Sequence, residues 1–130
     1  MAKNELQKYS SSLIQLIYRE GGNLSLPCDE ILSLECVVAG TTFIKNLKEV
    51  EAKLKKGQPL DLKREPDNQY DDFAIAIYNG QGEKLGYIPR DRNEMLARLM
   101  DAGKWFYAKV QNKVWEGNWL KIDLEIYLKE

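Results

Sequence analysis

A chain of 130 residues with 44% hydrophobic and 30% charged side chains suits one globular domain with a usable core. Its 19 basic and 20 acidic groups give a net charge of −1, which argues against a sequence-blind polyanion binder, and the absence of histidine removes the commonest general base near neutral pH. No apolar run approaches the roughly 20 residues of a membrane span, and two cysteines without histidine are too few for zinc, so a cytoplasmic, cofactor-free protein is expected.

Leu6, Tyr9, Leu13, Leu16 and Ile17 fall on one face of a predicted amphipathic helix over Glu5–Glu20, ended by Gly21-Gly22. A connector through Ile31 follows, so residues 1–31 read as a helix and linker and residues 32–130 as the domain proper. Cys28 and Cys36 flank the entry to the first strand, and a reducing compartment favours free thiols there. Leu32–Gly40 is the first predicted strand. Asn46 followed by Glu49 has capping-box form and opens a short helix with Leu47, Val50 and Leu54 inward. Pro59–Arg64 and Asp72–Tyr78 read as strands two and three, the latter with Phe73, Ile75 and Ile77 on one side. Asn79-Gly80-Gln81-Gly82 signals a hairpin into a fourth strand, Glu83–Ile88. Asp91-Arg92-Asn93-Glu94 repeats the capping-box pattern before a helix with Met95, Leu96, Leu99 and Met100 buried. The last hairpin alternates: Phe106, Ala108, Val110 and Val114 face the core from one strand, and Leu120 to Leu128 at even positions from the other. The fold class is mostly β, a small antiparallel barrel of about six strands flanked by two helices.

The densest chemistry lies between strands two and three, in Arg64-Glu65-Pro66-Asp67-Asn68-Gln69-Tyr70-Asp71. A turn needs Pro66, Asp67 and Asn68 for backbone reasons alone, and Arg64, Tyr70 and Asp71 are surplus to it. Pro66 and Asp67 are thus read as building the turn, and Asn68, Tyr70 and Asp71 as placed for recognition. Tyr70 offers a stacking face for a base, and Asn68 offers both a donor and an acceptor. Asp71 repels a phosphate yet accepts a hydrogen bond from a hydroxyl, a physical route to recognising a 3′-hydroxyl end. The bland alternative is a turn whose carboxylates cap backbone amides while Tyr70 packs inward. Arg90, at a strand end beside a helix N-terminus, is a phosphate candidate or a surface partner of Asp91 or Glu94. A second face interleaves Lys109, Lys113, Trp115, Trp119 and Lys121, either as a single-strand surface or as packing beneath the N-terminal helix. Residues 1–35 hold three basic and five acidic groups, leaving 16 and 15 for the rest, so a short binding site is expected.

Three blocks carry a family resemblance. Val37-Val38-Ala39-Gly40-Thr41-Thr42-Phe43, the Leu62–Ile77 stretch just described, and Lys84-Leu85-Gly86-Tyr87-Ile88-Pro89-Arg90 occur in the order seen in the HIRAN domain family. Over roughly Leu34–Leu128 the chain resembles a stand-alone, bacterial-type member. The resemblance implies a modified OB-like barrel that engages single-stranded 3′ ends, with Tyr70 and Asp71 at the terminus and Arg90 toward the backbone. It also implies a polar or aromatic contact at Tyr87. One block departs from eukaryotic DNA-end binders, which carry an arginine and then an aromatic. Here Thr41 and Thr42 stand first, Phe43 remains as a platform, and a threonine hydroxyl supplies a hydrogen bond without charge.

The leading expectation is a non-catalytic module for single-stranded DNA ends in repair or replication-fork processing. No Gly-x-x-x-x-Gly-Lys-Ser/Thr loop is present, so a helicase-type ATPase would be a separate partner, contacted through the N-terminal helix unless that helix forms a homodimer. The alternative is a protein-interaction adaptor that has lost DNA-end binding. An enzyme ranks last, because the adjacent Asp71 and Asp72 would point to opposite faces of a strand and make a poor metal pair.

Overall fold

The computed structural model describes residues 30–129, so the expected helix Glu5–Glu20, Cys28 and most of the connector lie outside the described residues. Six strands follow: β1 Glu30–Val37, β2 Pro59–Arg64, β3 Ile75–Tyr78, β4 Lys84–Tyr87, β5 Trp105–Glu116 and β6 Trp119–Lys129. Two helices interrupt them, α1 Leu47–Lys53 and α2 Glu94–Asp101, each preceded by a short 3-10 turn at Thr41–Phe43 and Arg90–Arg92. All neighbours pair antiparallel in the order β1-β6-β5-β2-β3-β4, a half-barrel curled around one core.

The core follows from period-two alternation. Leu120, Ile122, Leu124, Ile126 and Leu128 are buried from β6, and Phe106, Ala108 and Val110 from β5. Val50 of α1, Leu54 just past its end, and Met95, Leu96 and Ala97 of α2 close the core, each large side chain contributing about 1.5–3 kcal/mol by burial. Cys36 is buried in β1, and that burial pushes its pKa up to about 12, so its thiol is inert.

The two edge strands meet across a single bridge. After Val38 donates its amide to Ile122 O of β6, Ala39 turns to β4 and exchanges two bonds of 2.9 Å with Tyr87. The expected first strand, Leu32–Gly40, therefore splits between the two edges. Gly86 makes the approach workable: a Cβ there would sit 2.2 Å from Ala39 O and 2.7 Å from Val38 Cγ1.

Three further expectations change. β3 begins at Ile75 rather than Asp72, because the Arg64 guanidinium takes the carbonyls of Asp72 and Ala74 and holds those residues in a turn. Val114 is 42% exposed, because a register shift between Val110 and Asn112 turns the rest of β5 over. Neither asparagine caps its helix through its side chain: Asn46 bonds Glu83 and Asn93 bonds Asp71.

Candidate functional site

The turn between β2 and β3 consumes most of its polar groups in building itself. Asn68 Oδ1 accepts the amides of Tyr70 and Asp71 at 2.9 and 3.2 Å, and Asn68 Nδ2 donates to Glu65 Oε1 at 3.0 Å. Asp71 Oδ1 accepts the Phe73 amide at 2.9 Å, the local pattern by which an aspartate shapes a turn. Arg64 adds two carbonyl bonds and a bidentate pair with Asp101, whose carboxyl it holds below the usual carboxylate range. Pro66 and Asp67 thus do not make the turn by themselves. Tyr70 does not pack inward; it is 82% exposed.

This turn forms one wall of a cleft of about 730 Å³. The second wall comes from the 3-10 turn bearing Phe43 and from Ile44, Lys45 and Asn46, and the floor from β4 around Gly86 and Tyr87. Phe43, Asn68, Tyr70, Asp71, Tyr87 and Arg90, six of the residues expected to bind, all line it. Thr42 does not; it is exposed on the same turn as Phe43. Thr41 is buried, its hydroxyl donating to Leu120 O at 2.8 Å, so it anchors the turn. Phe43 itself is 86% exposed.

The cleft's charges are mostly answered from within. Lys84 Nζ lies 2.9 Å from Glu65 Oε2 and donates to Tyr87 Oη at 3.1 Å, while Tyr87 Oη donates to Glu65 Oε1 at 2.9 Å. Burial disfavours the charge on Glu65, yet the bonds from Lys84, Asn68 and Tyr87 outweigh it and lower its pKa. The same bonds to Glu65 and Tyr87 raise the pKa of Lys84. Glu83 is held low by its bonds from Asn79 and Asn46, with Lys53 3.5 Å away. Arg90 is held differently: its side chain is 77% exposed, and Nε lies 3.7 Å from Asp71 Oδ2. Lys45 has no ion pair among the described residues and also lines the cleft.

The second expected face does not stay on one side. Gln111 falls in the register shift of β5, after which Lys113 stands opposite Ile122 and Trp115 opposite Leu120, both core positions of β6. Lys113 Nζ reaches α1, bonding Glu51 O at 2.6 Å and lying 3.3 Å from its carboxylate. Trp119 and Lys121 stand on the opposite side of the hairpin. Lys109 lies farther along it, over the stacked rings of Tyr107 and Tyr127. Periodicity alone gives no sign of such a shift. Asn93, buried and bonded to Asp71 at 2.7 Å, was also not foreseen as a site residue, since its pattern pointed to helix capping.

Among the described residues no group of three or more His, Cys, Asp or Glu converges as metal ligands, and no helix is long and apolar enough to cross a membrane.

Residues 31–130 match the family model described as the HIRAN domain. A helicase-like transcription factor of Oryctolagus cuniculus is 30% identical over 82 residues, which is 58% of this chain and 8% of that protein. A Fanconi-associated nuclease 1 homolog of Arabidopsis thaliana is 38% identical over 61 residues, 46% of this chain and 7% of that one. The chain therefore spans less than a tenth of either relative, 8% and 7%. A crystal structure of a protein from Lactobacillus plantarum superposes with a TM-score of 0.71 at 32% identity, covering 78% of this chain and 96% of its own. The crystal structure of the HIRAN domain of human HLTF superposes with a TM-score of 0.60 at 22% identity, covering 79% and 81%.

Proposed function

The chain belongs to the HIRAN domain family, and from that membership and the cleft we propose a non-catalytic module that binds single-stranded DNA at a 3′-hydroxyl end. The observation that carries the proposal is the pair of rings at Phe43 and Tyr70, 86% and 82% exposed on separate loops of one cleft. Rings left in water make poor core and good platforms, and each stacked base is worth about 1–3 kcal/mol. Arg90 takes a backbone phosphate, with Lys45 reaching from the other wall, and the Thr42 hydroxyl, exposed beside Phe43 but outside the cleft lining, meets the strand where it leaves. Asp71 accepts the terminal hydroxyl and turns away a continuing phosphate. Asn68 holds that wall in shape, and Tyr87 offers its ring face while its hydroxyl stays on Glu65. Lys109, Trp119 and Lys121 serve a longer strand beyond the cleft, whereas Lys113 and Trp115 lie toward α1 and the core side. The OB-like reading of the barrel accords with edges joined at Ala39 and Tyr87.

The two curated relatives are named as a helicase-like factor and a nuclease homolog, and the matched stretch is under a tenth of each. What carries over is a targeting module in DNA repair or fork processing, beside motor or nuclease chemistry supplied elsewhere. A second reading, a protein-interaction adaptor, is favoured by the commitment of Asn68, Asp71, Lys84 and Tyr87 to bonds within the protein. Titrating a labelled strand with a free 3′-hydroxyl against the same strand 3′-phosphorylated, at fixed salt, separates the two. Preference for the hydroxyl that disappears in Asp71→Ala supports end binding. Weak, equal binding of both strands favours the adaptor.

A further inference from the structure

Asn93 is 2% exposed and stands at the N-cap of α2, yet its side chain makes no bond to that helix. An N-cap asparagine ordinarily accepts an amide from the first turn. Here Asn93 Nδ2 instead donates to Asp71 Oδ2 at 2.7 Å, a bond made across 22 positions of sequence. The amide orientation follows from chemistry, because an ionised carboxylate can only accept.

Each oxygen of Asp71 thus has one fixed donor from the protein. Oδ1 takes the Phe73 amide at 2.9 Å and Oδ2 takes Asn93, while Arg90 stays 3.7 Å from Oδ2 and mostly in water. A carboxylate has about four lone-pair sites, so acceptor capacity remains after these bonds. The side chain of Asp71 is still 15% exposed and lines the cleft. Two neutral donors hold the carboxylate, and the Arg90 guanidinium makes only a loose ion pair with it at 3.7 Å.

We propose that Asn93 is a positioning residue for specificity: it aims the Asp71 carboxylate into the cleft and keeps it from closing onto Arg90. This rests on the end-binding reading above. Without the amide, Asp71 swings toward the guanidinium and forms a tight ion pair. The strand then loses both its hydroxyl acceptor and part of its phosphate partner. Preorganisation of the carboxylate, rather than a contact between Asn93 and the ligand, is the source of the effect.

The test compares a strand ending in a 3′-hydroxyl with the same strand ending in a 2′,3′-dideoxynucleotide, which lacks the hydroxyl and adds no charge. Wild-type protein is expected to prefer the hydroxyl, and Asp71→Ala to bind both alike. In Asn93→Ala, affinity for the hydroxyl strand should fall about tenfold, the scale of one hydrogen bond to a charged group, and approach that for the dideoxy strand. Asn93→Asp separates positioning from capping. Aspartate caps a helix as well as asparagine does, but a second carboxylate facing Asp71 repels it. Thermal denaturation of both variants establishes that the folded protein is being titrated. Asn93→Ala or a folded Asn93→Asp that keeps the wild-type preference overturns the inference alone. A wild-type protein without any preference overturns the inference together with the reading beneath it.

Discussion

The two loops that wall the cleft are held by different means. The 64–74 turn is bound by its own side chains: Arg64, Asn68 and Asp71 satisfy at least five backbone groups between Tyr70 and Ala74. The 41–46 loop has few such ties. Thr41 anchors one end to Leu120 O, where β1 has left β6, and Asn46 reaches Glu83 at the other. Between these anchors Thr42, Phe43 and Lys45 are exposed. A densely bonded wall holds directed groups at fixed angles, as directional hydrogen bonding requires. A sparsely tied wall suits a flat ring, because stacking tolerates small shifts.

The largest expected effect strikes both walls together. Gly86→Ala puts a Cβ 2.2 Å from Ala39 O, a backbone atom that cannot move aside without breaking the bridge between the sheet edges. Overpacking and a φ of 153° unfavourable to a side chain should together cost about 3 kcal/mol or more, read as a lower urea midpoint. A midpoint unchanged from wild type would show that the edges are not locked there. Arg64→Ala comes next and addresses the bonded wall alone. It leaves the Asp72 and Ala74 carbonyls without their guanidinium and should cost about 2–3 kcal/mol, with faster amide exchange confined to the 71–75 segment. Equal loss of protection in the 41–46 loop would erase the distinction between the walls.

Only part of this arrangement was legible in the sequence. Apolar alternation in β5 and β6 and the Asn79–Gly82 hairpin signal located strands because those signals are local. The end of the first strand was not legible, since Ala39 changes partner only because another edge lies within reach. Asn68 and Asp71 both line the cleft, but periodicity and residue type could not show how many of their polar atoms the protein itself uses. Arg64 looked superfluous to the turn because its carbonyl partners lie eight and ten residues away. The proposed strip from Lys109 to Lys121 failed as a single face for a different reason. One bulge residue reverses every later side chain, and nothing in residues 105–121 announces it.

On the sparsely tied wall, Thr41→Val keeps the shape of the side chain and removes the hydroxyl that answers Leu120 O. About 1 kcal/mol of stability should be lost, and amide exchange should quicken at Phe43 and Ile44 while the 64–74 turn keeps its protection. Loss of protection in both walls would mean that the Thr41 anchor holds more than its own loop.

The smallest effect concerns the Glu65–Lys84 pair, where the bonded wall meets the floor of the cleft. Glu65 has a folded pKa below its ordinary 4.5, so its contribution is present above that value and fades as pH falls through the depressed one. Lys84 has a folded pKa above its ordinary 10.5, so its contribution is present below that value and is lost as pH rises through the raised one. Between these limbs the pair contributes a plateau. With side chains 27% and 40% exposed, solvent screens it, and the plateau should be only about 0.5 kcal/mol. Glu65→Gln isolates it: the gap in urea midpoint between wild type and variant should close on acidification below 4.5 and again at strongly alkaline pH. A gap that ignores pH would assign the role of Glu65 to the shape of its hydrogen bonds with Asn68 and Tyr87, which glutamine can partly reproduce, rather than to its charge.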